Sequence, residues 1–198
     1  MKLHLGCGKL KLENFINVDI LSTCADLKIN FTNLSIFNNT VVEEIYICHA
    51  LEHFKRKDII NLFLEWNRVL KNGGLLRIAV PDFEKIVKVY LKNKDMSEII
   101  GLLSGGQRDE YDFHYLNFDI TILKELLNVC GFDNIERYDA SEFLGDKDDY
   151  SKCYLPHMDQ ENGELMSLNI VCKKVKNVDI NNITLSDKVK KFTKFDLV

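Results

Sequence analysis

Residues 45–58, IYICHALEHFKRKD, contain side chains that could bind a metal or transfer protons. Within this stretch, HALEH places His49, Glu52 and His53 in the order His-x-x-Glu-His. That order is the inverted zinc-peptidase motif, in which two histidines one helical turn apart hold a metal and a glutamate activates water. The motif needs one continuous helix, but His49 ends the strand-like run EEIYIC and the next helix begins near FKRKD. We therefore expect no metal site, and we interpret these residues as the rim of a ligand pocket.

A second polar stretch, GGQRDEYDFHYLNFD at 105–119, lies between two predicted helices. One interpretation is a solvated polar loop. The other is a substrate site, because a loop in this position of an α/β fold overhangs the ligand-binding edge of the sheet. The candidate side chains are Gln107, Arg108, Asp109, Glu110, Tyr111, Asp112 and His114.

A third feature is the pair formed by LHLGCG at 3–8 and Asp19 at the end of FINVD. A glycine-rich turn after a first strand lets the backbone approach a ligand closely, and an acid that ends the second strand can hydrogen-bond ribose hydroxyls. A dinucleotide site would need a third glycine where Lys11 stands. The short segment between Gly8 and Asp19 leaves room for barely two helical turns, which favours a nucleoside ligand without a pyrophosphate and disfavours a dehydrogenase.

Composition and charge narrow the class of protein. The chain has 198 residues, 46% of them hydrophobic and 28% charged, as expected for one globular domain. The net charge is −4, and residues 173–198 are basic while the rest of the chain is acidic. An acidic body disfavours nucleic acid as a substrate, because phosphate contacts need a basic surface.

The six cysteines are scattered without a Cys-x-x-Cys pair, which is typical of a reducing compartment and argues against disulfides or a cysteine-based zinc site. The sequence has no apolar run of about 18 residues, so no membrane span is expected. The N-terminus MKLHLGCGK is too short and polar for a signal peptide. We expect a cytoplasmic protein.

Short apolar runs alternate with helix-periodic segments, which predicts an α/β protein with a mostly parallel sheet. The last strand should be antiparallel, because no crossover helix fits the polar segment 141–163. Asp82 and Asp119 are predicted helix N-caps. The predicted strands are 2–5, 15–20, 25–29, 43–48, 74–80, 134–139 and 167–174, and the predicted helices are 56–71, 83–93 and 120–130.

Taken together, these motifs resemble the class I S-adenosylmethionine-dependent methyltransferases, specifically the small methyltransferase-type-11-like group. The resemblance covers residues 2–174 and leaves 175–198 as a basic appendage with a short helix near LSDKVKKF. It implies a Rossmann-like sheet of seven strands in the order 3-2-1-4-5-7-6, with strand 7 antiparallel. The motifs that carry it are LHLGCG, INVD, HALEHF, RVLKNGGLLRIAVPDFEK, YDFHYLNFD, LKELLNVCGF and SLNIVCKK.

The resemblance also implies the positions that hold S-adenosylmethionine. The glycine turn would pass under the methionine moiety, Asp19 would hold the ribose, and Asn30-Phe31 would replace the aspartate-leucine pair that contacts adenine in the family. The pair could instead align with Asp26-Leu27. The expected cofactor-binding residues are Gly6, Cys7, Gly8, Asp19, Asn30, Phe31, Cys48 and His49.

Methyl transfer to oxygen needs a base of near-neutral pKa, and histidine is the most suitable side chain. His114 is the first candidate, His53 the second, and Asp112 would orient or assist. The expected substrate-binding residues are His53, Gln107, Arg108, Tyr111 and His114.

We expect a methyltransferase that acts on an oxygen of a polar small molecule, such as a sugar, a sugar precursor or a phosphate-bearing intermediate of surface-glycan biosynthesis. Lys55, Arg56 and Lys57 either serve an anionic acceptor or form a solvated basic turn. Segments 95–118 and 141–163, or a second subunit in a homodimer, would enclose the acceptor. The alternative is a methyltransferase-like protein that binds S-adenosylmethionine without transferring its methyl group.

Overall fold

The structure is a computed structural model that describes residues 1–194. Within that range, six strands form a central sheet and two short strands form a separate antiparallel pair. The strands are β1 (Lys2–Leu5), β2 (Ile16–Val18), β3 (Val42–Cys48), β4 (Leu70–Pro81), β5 (Phe132–Arg137), β6 (Tyr154–Leu155), β7 (Glu164–Leu165) and β8 (Ser167–Lys174). The helices are α1 (Ile59–Val69), α2 (Phe83–Asn93), α3 (Ile100–Ser104), α4 (Ile120–Val129), α5 (Ala140–Leu144) and α6 (Asp187–Thr193).

The order of the central sheet is β2-β1-β3-β4-β8-β5. The pairs from β2 to β4 are parallel, and β8 is antiparallel to both of its neighbours. This confirms the predicted Rossmann-like class and the antiparallel last strand. The carboxyl ends of β1, β2, β3 and β4 therefore meet at one edge of the sheet, which is where ligands bind in such folds.

The predicted third strand, 25–29, is wrong, so the sheet has six strands rather than seven among residues 1–194. That segment makes one isolated parallel bridge, between Leu27 and Val18. The Asp26 carboxylate instead accepts hydrogen bonds from the Asn17 backbone amide at 2.9 Å and from the Asn17 side chain at 2.8 Å. Backbone hydrogen bonds of Asp26 and Leu27 with Asn17 and Asp19 also hold the segment, but they lie next to that bridge and do not extend into a strand.

The boundary between the first long helix and the next strand also differs from the prediction of a helix over 56–71. A single 3-10 turn, Arg56–Asp58, precedes α1, and β4 begins already at Leu70. Leu70 pairs with Val42, and the register of β4 against β3 shifts between Val42 and Glu44. The double glycine 73–74 therefore lies inside the irregular start of a strand, rather than in a turn between helix and strand.

Helices α2 and α4 begin directly after Asp82 and Asp119, the aspartates predicted to cap them. Asp82 Oδ1 accepts from the Glu84 amide at 3.1 Å, and Asp119 Oδ1 accepts from the Ile122 amide at 2.8 Å. A capping aspartate satisfies an amide that has no partner inside the helix. Helices α1 and α4 bury their apolar faces in the same core cluster as the strands, through Ile59, Phe63, Trp66, Leu123, Leu126 and Leu127.

The segment 175–194 packs against the body of the protein. Ile183, Leu185 and Val189 belong to the main hydrophobic core, and the predicted short helix is present as α6. Arg56 donates hydrogen bonds to the carbonyls of Lys191 and Phe192. The division of the chain at residue 174 stays a prediction, and the last four residues of the expected appendage lie outside the described residues.

Among residues 1–194, no helix has the length and apolar character needed to cross a membrane.

Candidate functional site

The turn after β1 presents backbone to a cleft at the carboxyl edge of the sheet. Gly6 and Gly8 both have positive φ, +67° and +52°. The Gly6 and Cys7 amides donate to the Val18 carbonyl at 2.8 and 3.2 Å, which fixes the turn to the end of β2. A Cβ on Gly6 would lie 2.8 Å from the Ala50 Cβ, so position 6 has room only for glycine.

Asp19 holds the other side of this turn. Its Oδ2 accepts from the Gly8 amide at 2.9 Å, and its Oδ1 accepts from the amides of Leu21 and Ser22, each at 2.8 Å. The Ser22 hydroxyl in turn donates to the Gly8 carbonyl. The carboxylate is thereby held in one orientation at the wall of the cleft, where it keeps acceptor capacity for hydroxyl groups.

Asn30 and Phe31 follow along the same wall. The Phe31 ring meets the Phe54 ring edge-on, with centroids 5.3 Å apart. Asp26, the alternative position for the adenine contact, is engaged by Asn17 and by the Lys11 ammonium at 2.5 Å. Of the two alternatives, Asn30-Phe31 lines the cleft, and its contact with adenine stays a prediction.

These residues surround a cleft of about 820 Å³. Its size suits a nucleoside-sized ligand together with a small second molecule. The predicted residues on its walls are Gly6, Gly8, Asp19, Asn30, Phe31, His49, His53 and Tyr111, and the others are Ile20, Leu21, Ala50, Phe54, Lys55, Lys57, Asp58, Glu110 and Tyr115.

Glu52 lies behind this cleft, on the 3-10 turn Leu51–His53, and its side chain is fully buried. Neither of its carboxyl oxygens has a hydrogen-bond partner. Burial raises the pKa of Glu52 to about 8, so the acid is mostly protonated at neutral pH when nothing else is bound. Its backbone carbonyl accepts from the Tyr115 and Leu116 amides, which ties this turn to the loop before α4.

His49 lies between Glu52 and β8, with a positive φ of +45° at the end of β3. Its Nε2 is 3.0 Å from the Ser167 hydroxyl, and its Nδ1 is 3.5 Å from Glu52 Oε1. Burial lowers the pKa of His49 to about 3, so its imidazole is neutral. Because His49 is outside any helix, His49 and His53 do not form the zinc-peptidase pair, as the sequence context predicts.

His53 and His114 form an edge-to-face pair with ring centroids 4.7 Å apart. His53 Nδ1 donates to the Phe113 carbonyl at 3.1 Å, and His114 Nδ1 donates to the Leu102 carbonyl at 2.9 Å. Burial lowers the pKa of both imidazoles, so both are neutral bases at neutral pH. His53 lines the cleft, whereas His114 lies behind it with its Nε2 3.9 Å from Glu52 Oε1.

The loop 105–112 closes on itself. Arg108 Nε donates to Asp112 Oδ2 at 2.6 Å, and the Gln107 amide donates to the Asp112 carbonyl at 2.8 Å. The Arg108 guanidinium lowers the pKa of Asp112. Of this loop, Glu110 and Tyr111 reach the cleft walls. The predicted substrate-binding residues Gln107 and Arg108 do not, and neither does Asp112, the residue predicted to orient or assist the base.

Comparison with known proteins adds independent information on the fold. No protein-family model matches the sequence, and no curated protein is significantly similar to it. Among solved structures, an S-adenosylmethionine-dependent methyltransferase from Methanosarcina mazei is similar at 20% identity and a TM-score of 0.55, over 88% of this chain and 92% of that one. A second, from Archaeoglobus fulgidus, has 16% identity and a TM-score of 0.55, over 87% and 85%. A third, from Thermotoga maritima, has 17% identity and a TM-score of 0.52, over 88% and 81%.

The chain has the class I methyltransferase fold. In this fold, the turn after β1, the end of β2 and the end of β3 share one edge of the sheet. The methyltransferase fold therefore explains why the glycine turn, Asp19 and His49 converge although they are separated in sequence.

Two predicted cofactor residues of the methyltransferase fold lie behind the cleft wall rather than on it. Cys7 is 4% exposed, and its burial raises the thiol pKa to about 11. Cys48 is enclosed, and burial raises its thiol pKa as well. Neither thiol is ionised at neutral pH, so any contact they make with a ligand is through the backbone or through packing.

Sequence reasoning did not identify Tyr115, Phe54 and Ala50 as cleft residues. The aromatic residues next to HALEH and YDFH are a usable signal, because His53 and His114 of these motifs are both expected to bind the substrate. The basic run at 55–57 divides: Lys55 and Lys57 line the cleft, while Arg56 binds the C-terminal segment. Segment 141–163, expected to enclose the acceptor, contributes no residue to the walls within the described chain.

Proposed function

We propose that this protein is an S-adenosylmethionine-dependent methyltransferase that methylates an oxygen of a polar small molecule. One observation carries the proposal: a glycine turn without room for a side chain, a fixed carboxylate and His53 border one cleft, and His114 lies directly behind His53. The methyltransferase fold of its structural neighbours supports the choice of cofactor, because those neighbours are described as dependent on S-adenosylmethionine.

The residues of the cleft fit this cofactor. Gly6 gives the backbone close access to the methionine moiety, and Asp19 offers carboxylate oxygens to the ribose hydroxyls. Asn30 and Phe31 supply an amide and a ring face for adenine. The bound cofactor would supply an activated methyl group, so the protein has to provide position and a suitable nucleophile.

The acceptor end of the cleft would be the side bordered by His53 and Tyr111. A neutral imidazole can take the proton of an acceptor hydroxyl during transfer. Since His53 touches the cleft and His114 lies behind it, we assign the contact with the acceptor to His53. We assign a supporting role to His114, because its ring packs edge-to-face against His53 and its Nε2 faces Glu52. Asp112 remains a prediction as an orienting group, acting from outside the cleft.

The acceptor itself is proposed to be hydroxylated and anionic. Lys55 and Lys57 at the cleft wall are the cations that could meet a phosphate or carboxylate. The assignment to surface-glycan biosynthesis rests on the family resemblance alone. A cytoplasmic location and a homodimer likewise stay predictions.

Isothermal titration with S-adenosylmethionine and with its demethylated product tests the cofactor part of the proposal. We expect micromolar binding of both, and an Asp19→Ala variant that binds at least about tenfold more weakly, a loss of about 1.4 kcal/mol. The exposed-residue variant Lys92→Ala is the matched control. Absence of binding to either compound would overturn the proposal.

Transfer is then tested with radiolabelled cofactor and a panel of sugars, sugar phosphates and nucleotide sugars. Labelled product that retains its label under conditions that hydrolyse methyl esters would support methylation of a hydroxyl. Tight cofactor binding with no transfer to any member of the panel would favour the alternative, a binding protein without transfer activity.

A further inference from the structure

Glu52 is a buried acid whose environment the proposed function leaves unexplained. It is fully buried, and neither carboxyl oxygen accepts or donates a hydrogen bond. Burying a polar group without a partner costs free energy. The groups that face Glu52 are imidazole nitrogens, so the direction of each imidazole hydrogen bond decides what these nitrogens can offer.

The hydrogen bonds that lead from Asn169 through Ser167 to His49 show which nitrogen of His49 carries the proton. Asn169 Nδ2 donates to the Ser151 carbonyl at 2.8 Å, so Asn169 Oδ1 is the acceptor for the Ser167 hydroxyl, also at 2.8 Å. The Ser167 oxygen must then accept from His49 Nε2–H at 3.0 Å. His49 Nδ1, which faces Glu52 Oε1 at 3.5 Å, therefore carries a lone pair.

Hydrogen bonds to carbonyl groups likewise determine which ring nitrogen of His53 and of His114 carries the proton. The carbonyls of Phe113 and Leu102 can only accept, so His53 and His114 both carry their proton on Nδ1. Nε2 is then the lone-pair nitrogen of each ring, and in His114 it lies 3.9 Å from Glu52 Oε1. A carbonyl that holds the Nδ1–H of histidine is the arrangement that orients a metal-ligating imidazole.

One ligand atom from each of Glu52, His53 and His114 lies within 4.8 Å of the other two. The cluster thus gathers the Glu52 carboxyl group, the lone pair of His114 Nε2 and a ring nitrogen of His53. A single proton on the carboxyl group could satisfy only one of these acceptors. A cation at the centre would satisfy all of them together.

We propose that Glu52, His53 and His114 bind a divalent transition-metal ion. Two imidazoles and one carboxylate suit borderline ions such as Zn²⁺, and they suit Mg²⁺ or Ca²⁺ poorly. Metal–ligand distances of about 2.0–2.2 Å require the three groups to move slightly toward a common centre. The dipositive charge also compensates the burial of the Glu52 carboxylate.

The role of the ion in transfer rests on the proposed function, whereas its binding does not. Three protein ligands leave a coordination position open, and His53 places the cluster at the cleft wall. An acceptor hydroxyl bound there would release its proton to solvent water more readily, since a metal ion lowers the pKa of a bound hydroxyl. Its oxygen would then bond to the methyl carbon as the bond between that carbon and the sulfonium sulfur breaks, and the sulfur would leave as a neutral thioether. With an ion present, the imidazoles act as ligands and the ion activates the acceptor.

Titration of the metal-stripped full-length protein with Zn²⁺, and with Co²⁺ as a spectroscopic probe, tests the site without S-adenosylmethionine. We expect about one ion per chain. Bound Co²⁺ should absorb visible light more strongly than aqueous Co²⁺, because three protein ligands and one open position favour a four-coordinate site. Glu52→Gln and His114→Ala should each weaken Zn²⁺ binding at least about tenfold, or about 1.4 kcal/mol. Circular dichroism confirms that each variant is folded.

Two control variants separate this cluster from other metal-binding side chains. Cys24 is an exposed thiol and His157 an exposed imidazole, so Cys24→Ser and His157→Ala should bind Zn²⁺ like the wild type. The proposal is overturned if the wild type binds no ion, or if Glu52→Gln and His114→Ala bind as tightly as the wild type. It is also overturned if the controls lose binding. The assay contains no cofactor, so its failure is distinct from failure of the methyltransferase proposal.

Discussion

At the scale of single residues, burial sets the ionisation of the groups nearest the proposed chemistry. It lowers the pKa of His49 to about 3 and raises that of Glu52 to about 8. An enclosed site favours the uncharged form of each group, because the charged form loses its hydration. The cleft therefore borders a region of neutral imidazoles and an acid whose charge depends on what it binds.

Gly6→Ala should disable the cofactor side of the cleft. The added methyl group would lie 2.8 Å from the Ala50 Cβ, and alanine is also strained at a φ of +67°. We expect the dissociation constant of S-adenosylmethionine, measured by isothermal titration, to rise about tenfold or more.

Gly101→Ala is the matched control, because no atom lies within 4 Å of a Cβ at that position. It should bind the cofactor like the wild type. Unchanged affinity in Gly6→Ala would show that the ligand does not rest on this turn.

His114→Ala should lower turnover, because the His53 imidazole that contacts the acceptor loses the ring that supports it. Loss of acid–base assistance typically costs about 100-fold or more. The affinity for S-adenosylmethionine should change little, because His114 does not line the cleft. Steady-state kinetics with an acceptor found by screening, together with cofactor titration, measures both effects. His157→Ala, at an exposed loop position, should leave both unchanged. Loss of cofactor affinity in His114→Ala would place this residue in the cofactor site instead.

At the scale of elements, the ends of helices and strands are held by specific polar contacts. Lys174, the last residue of β8, is 1% exposed, and its ammonium donates to the carbonyls of Asn67 at 2.5 Å and Leu70 at 2.7 Å. These carbonyls lie at the C-terminal end of α1, where a cation is favourable. The contact joins α1 to the antiparallel strand β8, which lies between β4 and the edge strand β5.

Lys174→Ala should lower the free energy of unfolding by about 2–3 kcal/mol, the order expected for loss of hydrogen bonds from a charged group to buried carbonyls. Urea denaturation followed by circular dichroism measures it. The neighbouring Lys173 points to the opposite, exposed side of the strand, so Lys173→Ala should change stability by no more than about 0.5 kcal/mol. Equal effects of the two substitutions would contradict the assigned role of Lys174.

At the scale of the whole molecule, the C-terminal segment completes the core. Val189 is fully buried, and the Phe192 ring packs against Phe118 with centroids 5.9 Å apart. Arg56 connects this segment to the turn that follows HALEH. The segment therefore stabilises the part of the chain that carries His53 and Glu52.

Arg56→Ala should loosen this segment, because the carbonyls of Lys191 and Phe192 lose their donor. We expect faster amide hydrogen exchange across residues 183–194 and a loss of about 1–2 kcal/mol in the free energy of unfolding. Lys190→Ala, at an exposed position of α6, is the control and should exchange like the wild type. Unchanged exchange in Arg56→Ala would mean that apolar packing alone holds the segment.

Local features of the sequence predicted much of this architecture. The glycine turn and the capping aspartates Asp82 and Asp119 act within a few residues of their own position. Such features can be interpreted without knowing the rest of the fold. The strand predicted at 25–29 failed because its outcome depended on Asp26, whose carboxylate binds Asn17 on a neighbouring strand.

The sequence by itself determined the class of fold and the positions of the glycine turn and Asp19 at the ends of the first two strands. Only the tertiary structure decided which histidine faces the cleft, that Arg56 turns toward the C-terminal segment, and that Glu52 is buried without a partner. The physical reason is that burial and hydrogen-bond direction come from groups far apart in the chain. HALEH therefore does not form a zinc site within one helix, but Glu52 and His53 gain a third potential ligand from His114.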